Sequence, residues 1–366
     1  MNVNNNPVSG DASLLPTTEL RYRQDEDGYH ASSMAIAGVP VSEREITVGW
    51  IRSVLGPEVV AIQTVRIGEA YGLSSQLFRC RVEGPCAPAS VVIKLSDSER
   101  PADLREVPFY SEFAERVGIQ IPRSYGGGIE GLHAVLVLED FEHAVQGDCL
   151  EQLDALGAAA LARVLAALHA TWWQHPELDT TAWLPPMSVR TREWLLTRRA
   201  QCLATFGDRL PSWARQWLDR VEDVNARSLE LLSGAPHTLL HADLHLDNVL
   251  FEGGVEHPVI LDWARVARGP AAIDLVELLF SMAPEWESAL AIYMEEMRRR
   301  GVAVDEAMLH RTIGGALLRR FVSATCGISR WEPRSERERA IVTADQARVF
   351  RAVEEWNERH RAWLPV

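Results

Sequence analysis

Residues 241–263 read HADLHLDNVLFEGGVEHPVILDW, and this stretch decides both the fold and the chemistry of the chain. Asp243 is followed five residues later by Asn248 and, after two apolar runs, by Asp262. One carboxylate can orient an attacking hydroxyl, while a carboxamide and a second carboxylate hold a divalent cation against nucleotide phosphates. The spacing therefore predicts a magnesium-dependent phosphoryl-transfer site, with Asp243 as the base and Asn248 and Asp262 as metal ligands.

The other polar residues of this stretch have simpler explanations. We expect His241 to tie the loop into the core through hydrogen bonds rather than to transfer protons. His245 and Asp247 are either polar loop residues or contacts to metal or substrate, and the sequence leaves both readings open. For Asp262 the alternative is a carboxylate at the end of a strand that caps the next turn.

Composition narrows the possible functions. The chain has 366 residues, which is enough for two lobes with their own cores, and 47% of them are hydrophobic. The formal net charge of −14 argues against a nucleic-acid partner and permits a cationic small substrate. No apolar run predicts a membrane span, and residues 1–20 do not resemble a secretion signal, so we expect a cytoplasmic protein. The five scattered cysteines predict neither disulfides nor a zinc site.

The order of patterns predicts an α+β chain with two lobes. Residues 1–40 lack large apolar groups and are expected to be a flexible tail. Residues 41–140 carry an opening helix, then alternating or apolar runs typical of antiparallel strands, and form the predicted N-terminal nucleotide-binding lobe. Residues 141–366 are mainly helical, apart from the short strands around the loop, and form the predicted catalytic and acceptor-binding lobe.

Lys94 lies within the apolar run SVVIKL, where an unpaired ammonium would be costly to bury. Glu106, in the next helical segment, can supply the opposite charge. The alternative is a surface lysine at a strand end, with Glu106 as one of several exposed acids.

The motifs HADLHLDNVLF and VILDWARVARGPAAIDLVELL resemble the aminoglycoside phosphotransferase and choline kinase family, whose members share a protein-kinase-like fold. REVPFY, VLEDF and LHATWW are similar to its ecdysteroid-kinase-like branch. The resemblance implies that Asp243 is the catalytic aspartate, that Asn248 and Asp262 bind Mg²⁺, and that ATP or GTP is the phosphate donor. It also implies that Asp274 braces the catalytic loop, and the alternative is an acid that simply favours the start of a helix.

The resemblance assigns a nucleotide site as well. Lys94 and Glu106 would clamp the inner phosphates of the donor. A Gly and Ser turn would cover the phosphates, and the connection between the lobes would meet the purine edge. The residues expected there are Gly72, Ser74 and Ser75 in the turn and Glu139 and Phe141 in the connection.

The expected activity is transfer of a γ-phosphate to a hydroxyl of a small molecule, as in an antibiotic-inactivating O-phosphotransferase. A metabolic kinase for choline, a sugar or an ecdysteroid-like substrate is the alternative, and an inactive ligand-binding pseudokinase is a third reading. The acceptor, the preferred nucleotide and the oligomeric state are not encoded in any motif that we recognise. Arg265 and Arg268 either steady phosphate charge or face solvent.

Overall fold

A computed structural model describes residues 20–25, 28–32, 38–68, 75–99, 104–281, 286–330, 332–333 and 335–360. Contacts divide the chain into two compact units. The sheet unit comprises Met1–Val107 and Ser124–Leu138, and the helical unit comprises Pro108–Arg123 and Glu139–Val366.

The division differs from the predicted one at residues 108–123, which we had placed in the first lobe. Aromatic packing explains the difference. Phe109 stacks on Trp263 with ring centroids 4.1 Å apart, and Phe113 lies 4.5 Å from Trp172. Burying these rings holds the segment in the helical unit, although it precedes two strands of the sheet unit.

The described strands of the sheet unit form one sheet in the order β2-β1-β6-β7-β5-β4-β3. The strands are β1 (Leu20–Asp25), β2 (Gly28–Ser32), β3 (Ala61–Ile67), β4 (Ser75–Glu83), β5 (Ser90–Asp97), β6 (Ser124–Glu130) and β7 (His133–Glu139). Consecutive strands pair antiparallel from β3 to β5 and between β6 and β7, as the alternating runs predict. Buried side chains of β4, β5 and β7, including Phe78, Ile93 and Val135, pack with Ile51 of helix α1 (Val48–Leu55) to form the core.

A single 3-10 turn over Glu43–Glu45 precedes helix α1. Ser42, just before this turn, donates its hydroxyl to Glu45 Oε1 at 2.9 Å. The α-helix starts after Thr47, whose hydroxyl accepts a hydrogen bond from the Trp50 N–H, and Gly56 ends it at φ 112°.

Two strands lie within the segment expected to be a flexible tail. β1 and β2 form a hairpin, and Leu20 and Arg21 pair with Gly127 and Gly126 of β6. Strand pairing uses backbone groups that every residue except proline has, so a sheet edge can recruit a segment that is poor in large apolar side chains.

The helical unit follows the predicted order. The first two residues of helix α2 (Glu106–Glu112) belong to the sheet unit, and the rest of α2 belongs to the helical unit. The other described helices of this unit are α3 (Ala155–Thr171), α4 (Glu177–Thr180), α5 (Arg192–Phe206), α6 (Ser212–Asp219), α7 (Val221–Leu232), α8 (Ala272–Ser281), α9 (Trp286–Arg299), α10 (Glu306–Val322) and α11 (Glu336–Arg359). The buried face of α3 packs on α9, and α10 packs on α7. Among the described residues, no helix is both long and apolar enough to cross a membrane.

Two small antiparallel sheets interrupt these helices. One has the order β11-β10-β8, with β8 at Val145–Gln146, β10 at Val249–Phe251 and β11 at Pro258–Ile260. The other pairs β9 (His237–Leu240) with β12 (Ala267–Pro270). The loop of residues 241–248 therefore runs from one small sheet to the other.

Candidate active site

Strand register brings two of the predicted metal ligands to one end of a sheet. Val249 of β10 pairs with Ile260 of β11, and the Leu261 N–H donates to the Asn248 carbonyl at 2.9 Å. Asp262 is the next residue. Asn248 and Asp262 therefore leave the same end of the β10–β11 ladder, fourteen residues apart in sequence but adjacent in the fold.

Asp274, at the start of α8, braces the loop as predicted. Its two carboxylate oxygens accept hydrogen bonds from the backbone N–H groups of His241 and Ala242, both at 2.8 Å. His169 Nε2 lies 3.3 Å from one of these oxygens, and Asp274 and His169 are fully buried. A buried carboxylate that accepts several hydrogen bonds is a strong fixed point, so the start of the loop is anchored to α8.

His169 is buried in α3, and its contacts give it a polar role. Its Nδ1 lies 3.0 Å from the Tyr293 hydroxyl. Burial, together with the charge of Asp274, raises the pKa of Tyr293 far above its ordinary value, so the hydroxyl stays protonated and donates. Tyr293 thus orients His169, and His169 donates to Asp274.

His241 ties the loop to β11, also as predicted. Its Nε2 lies 2.8 Å from the Leu261 carbonyl, which can only accept, so Nε2 carries the proton. Nδ1 is then an acceptor, and the Asp243 N–H donates to it at 3.3 Å. Both ring nitrogens are used in holding the loop, which leaves His241 no role in proton transfer.

Asp243 differs from its buried neighbours because 44% of its side-chain surface is exposed. It follows Ala242, whose φ of 63° lies in the left-handed region that residues with a Cβ avoid. The carboxylate of Asp274 secures this conformation. Arg265 Nε lies 3.9 Å from Asp243 Oδ2, and the arginine is largely exposed. The loop therefore presents a reachable carboxylate on a rigid backbone.

Asn248 is oriented so that its oxygen can serve a cation. The Nδ2 group donates to the Asp243 carbonyl at 2.9 Å and lies 3.2 Å from His245 Nε2. Both amide hydrogens are thereby used, and Oδ1 is the atom left to accept. Only 8% of Asn248 is exposed.

Asp262 also has a left-handed backbone, at φ 60° and ψ 74°, and its Oδ1 accepts from the Ala264 N–H at 3.3 Å. This carboxylate does cap the following 3-10 turn, which was the alternative reading. Capping uses one of its two oxygens. An amide oxygen and a carboxylate at one ladder end are the hard oxygen donors that Mg²⁺ prefers, so the residues present fit that ion.

Asp247, left open by the sequence, has a structural role. It is 7% exposed, and its Oδ1 accepts from the Cys149 N–H at 2.7 Å. Arg337 Nη2 lies 3.2 Å from both of its carboxylate oxygens. His245 lies beside Asn248 through its Nε2.

The predicted pair in the sheet unit is present. Lys94 Nζ on β5 lies 2.6 Å from Glu106 Oε2 at the start of α2, with 8% and 7% of the two side chains exposed. Pro108 lies in the first turn of α2, where a helix needs no N–H, and so it does not disturb that turn.

The remaining nucleotide residues are only partly observable. Gly72 and Ser74 lie outside the described residues, and the Ser75 hydroxyl lies 2.9 Å from that of Ser96. The Glu139 N–H donates to the Arg123 carbonyl at 2.8 Å, and the Phe141 carbonyl accepts from Ala144 at 3.0 Å. The prediction that this connecting segment meets the purine edge therefore rests on two other backbone groups, the Glu139 carbonyl and the Phe141 N–H.

A charged cluster near Asp243 was not found from the sequence. Arg320 of α10 lies 3.0 Å from Glu277 of α8 and 2.6 Å from Asp345 of α11. Burial raises the pKa of Glu277 to about 7, and the charges of Asp345, Asp243 and Asp274 act in the same direction while Arg320 opposes them. The sequence had no signal for it, because three separate helices contribute one residue each.

Arg268, one of two arginines that the sequence left undecided, has structural contacts. It forms a hydrogen bond to the Leu178 carbonyl and an ion pair with Asp179 at 3.4 Å. These contacts join β12 to α4.

A sheet unit with a buried lysine and glutamate, followed by a helical unit with this loop, is the arrangement of the protein-kinase-like phosphotransferases that act on hydroxyl groups. The model of the phosphotransferase enzyme family, APH, matches residues 72–298, which is more than half of the chain. The chain belongs to this family. No curated protein sequence matches it.

Solved structures agree on the fold. A spectinomycin phosphotransferase, APH(9)-Ia, in complex with ADP and spectinomycin is 15% identical, with a TM-score of 0.54 over 84% of this chain and 99% of that one. Choline kinase from Cryptosporidium parvum is 13% identical, with a TM-score of 0.56 over 87% and 97%. The GDP complex of aminoglycoside 2'-phosphotransferase-IIIa is 17% identical, with a TM-score of 0.51 over 83% and 94%.

Proposed function

We propose that the protein is a magnesium-dependent O-phosphotransferase that moves the γ-phosphate of ATP or GTP to a hydroxyl of an antibiotic-type small molecule. The observation that carries the proposal is the loop of residues 241–248. It holds one exposed carboxylate, Asp243, on a backbone fixed by Asp274, and sets Asn248 beside Asp262 at the end of a sheet.

Each residue then has a defined task. Asp243 accepts the proton of the acceptor hydroxyl as its oxygen forms the new bond to phosphorus and the bond to the nucleoside diphosphate breaks. Asn248 Oδ1 and Asp262 would hold Mg²⁺, which when bound neutralises charge on the donor phosphates. Lys94, kept in place by Glu106, would bind the inner phosphates. The Glu139 carbonyl and the Phe141 N–H would meet the purine edge.

Electrostatics favour a cationic acceptor. The chain carries a formal net charge of −14, and the exposed carboxylate of Asp243 has a long, largely exposed contact with Arg265 at 3.9 Å. A surplus of carboxylates attracts a positively charged substrate and raises its local concentration. An amine-bearing antibiotic has that charge. Choline also has it, so a metabolic kinase is the competing outcome of the test.

The test is a transfer assay with Mg²⁺ and either ATP or GTP against aminoglycosides, other hydroxylated antibiotics, choline, sugars and nucleosides. Mass spectrometry should find a gain of about 80 Da, one phosphoryl group, on an antibiotic. Phosphorylation of choline or a sugar alone would replace the antibiotic assignment with a metabolic one. Absence of transfer to every acceptor would contradict the enzyme assignment for this site.

The variant Asp243→Asn tests whether Asp243 is the base that accepts the proton of the acceptor hydroxyl. Turnover should fall at least about 100-fold, since general-base catalysis contributes that much or more, while binding of the magnesium nucleotide stays close to that of the unmodified protein. Asp223→Asn, an exposed change on α7, is the matched control and should leave both unchanged. Retained turnover in Asp243→Asn would reject the role of Asp243.

A further inference from the structure

The last helix of the chain contacts the catalytic loop through one arginine. Arg337, in the first turn of α11, directs its guanidinium at two carboxylates. Nη1 lies 2.9 Å from both oxygens of Asp148, and Nη2 lies 3.2 Å from both oxygens of Asp247. A planar guanidinium suits such double contacts, because its N–H groups point in fixed directions.

Asp247 is bonded on its other side as well. Its Oδ1 accepts from the Cys149 N–H at 2.7 Å, and the Cys149 thiol lies 3.3 Å from Oδ2. Burial and the neighbouring Asp247 raise the pKa of Cys149 to about 12, so the thiol stays protonated and donates. The carboxylate of Asp247 thus has contacts with both Arg337 and Cys149, and it lies next to Asn248 in the chain.

Residues 146–151 form a platform beneath the loop, and backbone contacts hold it there. Gln146 Nε2 donates to the Asp247 carbonyl at 2.8 Å, and the Gly147 N–H donates to the Val249 carbonyl at 2.9 Å. A Cβ on Gly147 would lie 2.5 Å from the Leu246 carbonyl oxygen, so only glycine permits this approach. Arg348 of α11 donates to the Leu150 carbonyl at 2.9 Å.

The cluster of Asp148, Cys149 and Asp247 could be mistaken for a metal site, since its ligand atoms lie within 4.8 Å of one another. Arg337 already supplies the positive charge there, in contact with both carboxylates. A second cation would have to displace it, so we assign the cluster to positioning.

We propose that Arg337 is a positioning residue for the metal ligands: by holding Asp247, it fixes the orientation of Asn248 toward a divalent cation. This inference rests on the proposed function. The last helix, about 90 residues from the loop in sequence, then takes part in the site without touching substrate. Removing a residue that orients a metal ligand typically lowers metal affinity about 10- to 100-fold.

The experiment compares Arg337→Gln with Arg351→Gln, a control arginine on the same helix whose ion pair with Glu355 is long, at 3.9 Å. Mn²⁺ binding in the presence of ADP is measured by electron paramagnetic resonance. Hydrogen exchange is measured at the amides of residues 245–251 and Cys149 without metal. In Arg337→Gln the Mn²⁺ dissociation constant should rise at least about 10-fold and these amides should exchange faster. The control should match the unmodified protein in both measurements.

Two further measurements keep the inference falsifiable. If Arg337→Gln does not fold, Arg337→Lys keeps the charge but lacks the planar fork, and it should show the same changes to a smaller extent. Unchanged Mn²⁺ affinity and unchanged amide exchange in the folded variant would overturn the role of Arg337. Failure of the proposed function is recognised separately: the unmodified protein would then bind manganese nucleotide and phosphorylate no acceptor, or bind no Mn²⁺ at all, and the second result overturns both proposals.

Discussion

At the scale of single residues, Lys94, Glu106 and Asp274 show how this protein buries charged groups beside close partners. Lys94 and Glu106 lie 2.6 Å apart and are almost completely buried in the sheet unit, and Asp274 is fully buried while it accepts from two backbone N–H groups. A buried ion pair contributes little net stability compared with apolar residues, whereas half of one is costly. Stability alone therefore does not account for the Lys94 and Glu106 pair.

The Lys94 and Glu106 pair yields a prediction that separates stability from function. Lys94→Met should lower the free energy of unfolding by about 3–5 kcal/mol, because it removes the ammonium group that lies 2.6 Å from a buried carboxylate. Lys94→Met/Glu106→Leu should recover most of that loss but still bind nucleotide poorly. Urea denaturation and the nucleotide KM are the measurements.

Arg298→Met, which breaks an exposed pair with Glu295, is the control and should cost less than about 1 kcal/mol. A double variant with the nucleotide KM and turnover of the unmodified protein would show that Lys94 has only a structural role.

At the scale of elements, close helix packing and a shared charged cluster connect segments that are distant in sequence. Helices α7 and α10 approach closely at Gly315, where an added Cβ would lie 2.9 Å from Leu231 Cβ and 3.0 Å from the Ser228 carbonyl oxygen. Helices α8, α10 and α11 each contribute one residue to the cluster of Glu277, Arg320 and Asp345. The apolar pattern of each helix predicts neither feature, because such a pattern shows which face of the helix is buried but not which other helix packs against that face.

Gly315→Ala should destabilise the protein although alanine favours helices. The overpacking cost of about 1–3 kcal/mol exceeds the propensity gain of about 1 kcal/mol. Gly207→Ala is the matched control, because that glycine has φ −51° and no heavy atom within 4 Å of an added Cβ. The control should be neutral or stabilise by a few tenths of a kcal/mol to about 1 kcal/mol. Equal midpoints of thermal unfolding in the two variants would refute the close packing of α7 and α10.

Glu277 predicts how stability depends on pH. Its pKa is raised to about 7 in the folded protein, so between its ordinary value near 4.5 and pH 7 the folded state binds more protons than the unfolded state. Ionisation of Glu277 therefore lowers the free energy of unfolding as pH rises through this window. Glu277→Gln removes that loss, and its stability relative to the unmodified protein should increase from pH 5 to pH 8.

The increase should be on the order of 1 kcal/mol, because a fifth of the Glu277 side chain remains exposed. The control is Glu295→Gln. The Arg298 hydrogen bond lowers the pKa of Glu295, so ionisation of Glu295 affects stability only below pH 5. Urea denaturation at pH 5 and pH 8 is the measurement, and an equal effect of Glu277→Gln on stability at the two pH values would contradict the raised pKa of Glu277.

At the scale of the whole molecule, the composition agrees with a chain stabilised by its cores and not by disulfides. All five cysteines lie in described parts of the structure, and all are free thiols. Burial raises the pKa values of Cys80 and Cys326 to about 11 and that of Cys202 to about 12. Cys149 has contacts with Asp247, and Cys86 is exposed.

Alkylation should therefore proceed in two stages. At pH 8 the folded protein should take up one equivalent of iodoacetamide, on Cys86, because a protonated buried thiol is a poor nucleophile. In denaturant it should take up five. Peptide mass spectrometry gives the sites. Labelling of Cys149 in the folded protein would show that the platform under the catalytic loop opens, and would weaken the role that we propose for Arg337.

The amino-acid sequence by itself determined the order of sheet and helical units, the strands around Lys94, and the polar residues of the loop at residues 241–248. Local alternation and the spacing of Asp243, Asn248 and Asp262 encode these features, since strands, turns and short loops depend on near neighbours. Only the tertiary structure decided the strands of residues 20–32, the place of residues 108–123, the structural role of Asp247, and the contact from Arg337. Each depends on a partner between about 60 and 155 residues away or on a sheet edge, and pairing over such distances leaves no local pattern.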